Sequence, residues 1–365
     1  MAVLVYHFYS MEVIDTAIRF NFGGEAVMVF FVISGFVIAY VTDNRENNWR
    51  TYSISRCARL YSVVVPALIL TVIVDSIGAQ VDPTVYDPRT HEQPILRIGA
   101  SLLFINQIWN FTIIPLSNGP FWSLSYEFVY YLAFAAAIFA PGKWRYALTF
   151  VVLLIAGPRI TLYFSIWLVG VLVYYLRPKL RLSPIAMGGV FFVSLALFFA
   201  FVIFGTPLDS VTSILKEQLD SEGYLTIFDA KFFIGGQGGA QFPSDLMIAL
   251  AFAGTLLTCD GIAGVLLISD GLNRTIRFLA SHTFSIYLYH FPLLVFFDVL
   301  FDRIILFEGH QDGILNGVSL MVMTLACIFL LGRYTENRKD IYVKLFQYLN
   351  LTLFSFRDRT LGERS

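Results

Sequence analysis

Long apolar runs alternate along this chain with short polar stretches rich in arginine. A helix needs roughly 20 mostly apolar residues to cross the hydrocarbon core of a bilayer. Segments 160–176, 185–205 and 314–331 carry no charged residue, and 62–78 and 283–301 carry a single aspartate each. Helices of soluble proteins show one apolar stripe and one polar face, whereas these segments are apolar all round. The pattern predicts spans over 1–18, 22–41, 61–79, 121–140, 146–157, 160–176, 185–205, 245–267, 282–301 and 314–332. The expected class is therefore an all-α polytopic membrane protein of about ten transmembrane helices.

Lysine and arginine concentrate on the cytoplasmic side of membrane proteins. Here they cluster at Arg45, Arg50, Arg56 and Arg59; at Lys143 and Arg145; at Arg177, Lys179 and Arg181; at Arg274 and Arg277; and from Arg333 through Arg338, Lys339 and Lys344. Alternating the spans from a cytoplasmic N-terminus brings every cluster inside and leaves both termini cytoplasmic. The loop 206–244, with Asp209, Glu217, Asp220, Glu222 and Asp229, then faces outside. Segment 95–114 would reverse the later loops if it spanned, so it is expected to be re-entrant or interfacial, with Trp109 at headgroup level. Segment 146–157 is short and ends at Gly157 and Pro158, which favours a tight hairpin with its neighbour. Residues 1–333 form the expected membrane domain and 334–365 a short basic cytoplasmic tail.

Composition agrees with this class. Hydrophobic residues make up 57% and charged residues 14% of the chain, against about 25% charged in soluble domains. Mean hydropathy is +0.70. A net charge of −1 gives no basic footprint for nucleic acid. Cys57, Cys259 and Cys327 lie far apart, without zinc-ligand or disulfide spacing. The start of the chain lacks the basic leader and cleavage site of a signal peptide. No internal repeat of the kind that builds inverted-repeat transporters is visible.

Ionisable groups inside apolar spans are costly, so each is a candidate for function. His7 lies in the first span, Glu25 opens the second, Glu127 lies early in the fourth, and His290 shortly precedes Pro292. Bland roles compete with each. His7 also suits helix packing, and Glu25 suits the aqueous interface. His290 also suits the backbone carbonyls that Pro292 frees. Glu127 is harder to set aside, because a carboxylate in lipid needs a partner or a proton. Arg56 and Arg59, three apart, share one helix face and suit phosphate or carboxylate capture as well as ordinary topology signalling. Ser34 and Gly35, small residues in mid-helix, suit close helix approach.

Taken in order, these segments resemble the acyltransferase-3 family of membrane O-acyltransferases. The resemblance is carried by Tyr6 and His7; by Gly24 followed by Phe30, Phe31, Val32, Ile33, Ser34, Gly35 and Phe36; and by Arg56, Cys57, Ala58, Arg59, Leu60 and Tyr61. It continues with Trp122, Ser123, Leu124, Ser125, Tyr126 and Glu127, and ends with the run from Phe284 to His290. It covers most of the chain, from residue 2 to about 333. One departure concerns the first helix: the family carries a basic residue further upstream of the histidine than this chain extends.

The resemblance implies transfer of an acyl group, usually acetyl, from cytoplasmic acyl-CoA to a hydroxyl of an extracytoplasmic sugar or glycan. It implies ten helices with cytoplasmic termini in the inner membrane, a carbohydrate acceptor and no metal. The family's histidine corresponds to His7, its arginine pair to Arg56 and Arg59, and its glutamate to Glu127. His7 is expected to act as base or as transient acyl carrier, oriented by Glu127 if their helices adjoin, while Arg56 and Arg59 hold the coenzyme A phosphates. Ser34, Trp122, Ser123, Ser125 and His290 are expected to support substrate or structure. The competing class is a proton-coupled transporter or flippase using His7, Glu127 and His290; a non-catalytic membrane partner is a third.

Overall fold

The computed structural model describes residues 1–11, 22–109, 111–210, 213, 241–263, 270–303 and 313–349. Among the described residues every regular element is helical. In chain order these are α1 (Ala2–Ser10), α2 (Gly23–Asn44), α3 (Trp49–Val81), α4 (Pro88–His91), α5 (Pro94–Leu102), α6 (Trp122–Phe139), α7 (Trp144–Ala156), α8 (Pro158–Leu176) and α9 (Pro184–Phe204). The second half holds α10 (Phe242–Thr258), α11 (Asp260–Ala263), α12 (Asp270–Ala280), α13 (Thr283–Arg303), α14 (Gly313–Tyr334) and a terminal helix α15 over residues 339–349. Among the described residues seven helices are long and apolar enough to cross a membrane, and α7 and α10 are shorter apolar helices. Of the first expected span, positions 12–18 lie outside the described residues. So do 264–267 of the eighth span, Glu217, Asp220, Glu222, Asp229 and the glycine run 235–239 of the long loop, and 350–365 of the tail.

Several boundaries differ from the sequence expectation for visible reasons. The third span begins at Trp49 rather than at 61, because Asn48 caps the helix by accepting the Thr51 amide at 3.0 Å. At 1.5 Å per residue its 33 residues reach about 50 Å, so a full span is preceded by about three helical turns. Arg56 and Arg59 therefore lie inside a continuous helix and not in a loop. Segment 95–114 does not form one helix: α5 ends at Leu102, and Phe104, Trp109 and Leu116 take left-handed backbone conformations. The Trp109 amide donates to the Ala156 carbonyl at 2.9 Å, which fastens this irregular stretch to the α7–α8 corner. That corner is a hairpin turned by Gly157 at φ +90°, and a side chain there would strike the Trp109 backbone 2.7 Å away.

The centre of the bundle is built by α2, α3, α6, α8 and α13. Phe31, Leu60, Val63, Tyr130, Ile166, Trp167 and Leu288 are all fully enclosed. Helices α2 and α8 pack most closely. A Cβ on Gly35 would overlap the Trp167 carbonyl oxygen, and one on Gly170 would overlap the Val32 carbonyl oxygen. This reciprocal pair explains small residues in mid-helix, because backbones can approach only where neither carries a side chain. By contrast, α9 has no buried residue and packs on α10 and α11. An apolar helix left this open fits a lipid surround.

Candidate active site

Three groups of polar side chains lie inside the bundle. The first surrounds Arg56. Its Nη2 donates to Glu46 Oε1 at 2.7 Å and to Ser55 Oγ at 3.0 Å, and both side chains of the ion pair are less than 10% exposed, at 8% and 6%. The guanidinium lies 5.7 Å from the Tyr52 ring and 5.8 Å from the Tyr131 ring, contacts that favour a desolvated cation. Its Nε and Nη1 are buried and have no hydrogen-bond partner among the described residues. Desolvated N–H groups without acceptors are costly, and a guanidinium edge matches carboxylate and phosphate oxygens alike. The set therefore fits an anionic ligand. Arg59, one turn further along α3, lies 4.9 Å over the Phe284 ring of α13.

The second group is centred on Glu127, which is 1% exposed. Its Oε1 accepts from Ser34 Oγ at 3.0 Å and from the Tyr131 hydroxyl. Trp167 Nε1 in turn donates to Ser34 Oγ at 3.2 Å. Glu127 Oε2 is buried without a hydrogen-bond partner among the described residues, so the hydroxyls serve one carboxylate oxygen only. The Gly35 contact with α8 lies beside this network and holds Ser34 within reach of Trp167.

The third group contains His7. Its ring lies 5.3 Å from the ring of His290, 4.7 Å from Phe291 and 4.9 Å from Tyr6. The expected orientation of His7 by Glu127 depended on adjoining helices and is corrected: Glu127 hydrogen-bonds to Ser34 and Tyr131, whereas α1 lies against α2 and α13. His290 is fully buried, and its Nδ1 lies 2.8 Å from the Tyr287 carbonyl and 3.0 Å from the Ile286 carbonyl. Carbonyls only accept, so Nδ1 carries the proton. Nε2 is then a bare acceptor, and it has no partner among the described residues.

The carbonyl that Pro292 frees, that of Leu288, is served by Asn118 Nδ2 at 3.0 Å. The suggestion that His290 fills that role is corrected accordingly.

Phe284, Tyr287 and His290 follow at three-residue spacing on α13, a stripe of about 9 Å from Phe284 to His290. Tyr287 donates to the Pro120 carbonyl at 2.7 Å and lies 2.7 Å from Ser123 Oγ. Because the tyrosine proton is used on the carbonyl, Ser123 is the donor to Tyr287. Phe30 of α2 stacks on Tyr287 at 6.4 Å with an interplanar angle of 9°. Trp122 is half-buried and meets Tyr126 edge-on at 5.2 Å. Ser125 donates to Asn106 Oδ1 of the α5–α6 connection, so it braces the fold away from the histidines. Glu25 stays at the opening of α2, two residues after Gly23, whose Cα faces the Tyr6 ring.

Four contributors to this arrangement were not singled out from the sequence: Glu46, Tyr131, Tyr287 and Asn118. Glu46 precedes Arg56 by ten residues across a helix cap, and no periodicity pairs them. A further buried pair lies toward the far end of α3: Asp75, 1% exposed, receives Ser117 Oγ at 2.7 Å and lies 3.0 Å from His91 Nε2.

The described bundle thus sets His7 beside His290 and holds the arginine pair on α3, with Arg59 over the Phe284 ring. Residues 1–333 match the family model of the acyltransferase domain, Acyl_transf_3. The chain belongs to this family and is an O-acyltransferase by class. Among similar proteins, exopolysaccharide production protein ExoZ of Rhizobium meliloti is 29% identical over 56% of this chain and 67% of its own length. Acyltransferase MdmB of Streptomyces mycarofaciens is 33% identical over 35% of this chain and 32% of its own length. O-acetyl transferase of Shigella phage Sf6 is 30% identical over 38% of this chain and 42% of its own length. The chain thus spans less than half of the last two relatives. No solved structure matches it.

Proposed function

We propose that this protein moves an acyl group, by default acetyl, from cytoplasmic acyl-CoA to a hydroxyl of an extracytoplasmic sugar or glycan. The observation that carries the reading is the stripe on α13, which leads from Arg59 at Phe284 past Tyr287 to the His290–His7 pair. In this reading the chain crosses the inner membrane ten times with both termini in the cytoplasm, as the basic clusters suggest. Arg56 and Arg59 then sit at the cytoplasmic mouth, where the free N–H groups of Arg56 and the charge of Arg59 bind the donor's phosphates. Glu46 and Tyr131 keep the Arg56 guanidinium in place. The aromatic stripe accommodates the arm that leads from those phosphates to the thioester.

His7 works at the end of that stripe. As base it takes the acceptor hydroxyl's proton while the oxygen bonds to the acyl carbon and the carbon–sulfur bond breaks; the departing thiolate then recovers that proton. As acyl carrier it bonds the acyl carbon first and releases the thiolate; in a second displacement the hydroxyl oxygen bonds the acyl carbon, the bond to His7 breaks, and the hydroxyl's proton goes to the released thiolate. General-base catalysis is worth about 10²- to 10⁴-fold. The names of ExoZ and of the phage O-acetyl transferase favour a carbohydrate acceptor and acetyl as the group.

The test supplies radiolabelled acetyl-CoA and an envelope glycan fraction to membranes holding either wild type or His7→Ala. Wild type should place label on glycan, and His7→Ala should place none at equal membrane abundance. Equal labelling by the two would remove His7 from the chemistry.

A further inference from the structure

The His7–His290 contact has a direction built into it. His290 is anchored on α13 and fully enclosed, and its Nδ1–H is committed to the Tyr287 and Ile286 carbonyls. That commitment makes Nε2 an acceptor and nothing else, because neutral imidazole carries one donor and one acceptor. A buried acceptor without a donor costs free energy, and Nε2 has no partner among the described residues. The adjacent polar ring is His7, half-buried, on a different helix and 5.3 Å away between centroids. The other rings in contact with the pair are Phe291, Tyr6 and Tyr287. Phe291 has no proton to offer, and Tyr287 has given its own to the Pro120 carbonyl.

We propose that His290 is the positioning residue of His7: its bare Nε2 accepts the His7 N–H and so fixes the tautomer that leaves the opposite His7 nitrogen unprotonated and facing the reaction. A small rotation of the His7 ring completes a relay that runs from the backbone carbonyls through His290 to His7. When His7 takes the hydroxyl proton, its other N–H is already donated to His290, and the positive charge is shared across that hydrogen bond. The acyl transfer itself keeps the balance given above. The relay does for a histidine what a buried carboxylate does in hydrolytic triads, setting tautomer and orientation, but it introduces no second charge into an apolar bundle. The inference rests on the acyl-transfer reading for its purpose, although its geometry can be tested without turnover.

The experiment measures two quantities in detergent-purified full chain: the carbethoxylation rate of His7 by diethyl pyrocarbonate, read on the His7 peptide by mass spectrometry, and acetyl transfer kinetics. Wild type is compared with His290→Phe, which keeps a ring and removes the acceptor, and with His290→Gln, which restores an acceptor oxygen. His290→Asn, one methylene shorter than the glutamine, replaces His290→Phe if that variant fails to insert. We expect His290→Phe to slow His7 labelling about tenfold and to lower kcat by about 10²- to 10⁴-fold with KM for acetyl-CoA unchanged. His290→Gln should recover part of both. Unchanged His7 labelling in a folded His290→Phe, or a folded His290→Gln as impaired as His290→Phe, would overturn the proposal. Labelling that depends on His290 in a protein that transfers no acyl group would uphold the pair and refute the enzymatic reading. Transfer with labelling indifferent to His290 would do the reverse.

Discussion

Replacing Arg56 separates two roles that the sequence assigns to one residue. In Arg56→Met the methionine fills much of the volume between Tyr52 and Tyr131, but Glu46 loses its cation. The Glu46 side chain is only 6% exposed, and its Oε2 already lacks a partner, so the change leaves a desolvated carboxylate with neither oxygen served by Arg56. Breaking a buried ion pair from one side costs about 3–5 kcal/mol. Replacing both members by apolar residues is close to neutral or stabilising, so Arg56→Met with Glu46→Leu should return to within about 1 kcal/mol of wild type. Glu46→Leu alone strands the buried guanidinium and costs a similar amount, so the coupling between the two positions is at least about 5 kcal/mol, well beyond the scatter of independent sites. Unfolding midpoints of the four proteins in detergent measure that cycle. Repeating the melts with acetyl-CoA measures the donor role, since a ligand at a hundred times its Kd stabilises by about 2.7 kcal/mol. Wild type should show the shift and the well-folded double variant should not. Arg56→Met as stable as wild type would show that the buried pair carries no weight. A double variant that keeps the full acetyl-CoA shift would remove Arg56 from donor binding.

Other expectations follow from the same contacts. Gly35→Val should lower the melting point and weaken acyl transfer together, because even its Cβ overlaps the Trp167 carbonyl; overpacking of this kind costs about 1–3 kcal/mol, and an unchanged melt would contradict the close α2–α8 approach. Asn118→Leu should cost about 1–3 kcal/mol by leaving the Leu288 carbonyl bare, with denaturant unfolding as the measure. The pH dependence is clearest at Asp260, beside the end of α10, where hydrogen bonds from Arg177 hold the carboxyl below its ordinary value. A lowered folded value means that the stabilisation is present above the unfolded carboxylate range and disappears as pH falls through the folded value. Asp260 is half exposed, at 55%, so Asp260→Asn should cost below about 1 kcal/mol at pH 7 after solvent screening and nothing under strongly acid conditions; an equal loss at both would contradict the pairing.

Apolar run length was enough to place the helices, because a backbone in lipid must satisfy its own hydrogen bonds and therefore coils. The cores of α2, α8, α9 and α14 fall where the hydropathy pattern predicts them. His7 and Glu127 stood out as candidates because each is a polar residue in a costly place, and Arg56 and Arg59 because they are three apart and so share one helix face. Their partners were not legible. Whether His7 faces Glu127 or His290 depends on how α1 rests on α13, a packing choice that no local spacing encodes. Glu46 found Arg56 only because Asn48 starts α3 early, and Asn118 found Leu288 across 170 positions of chain. Spacing along one helix is determined by its own geometry, so the sequence decided which residues share the α13 stripe. Contacts between helices depend on side-chain volumes and on the backbone approach at Gly35 and Gly170, and only the tertiary structure decided those.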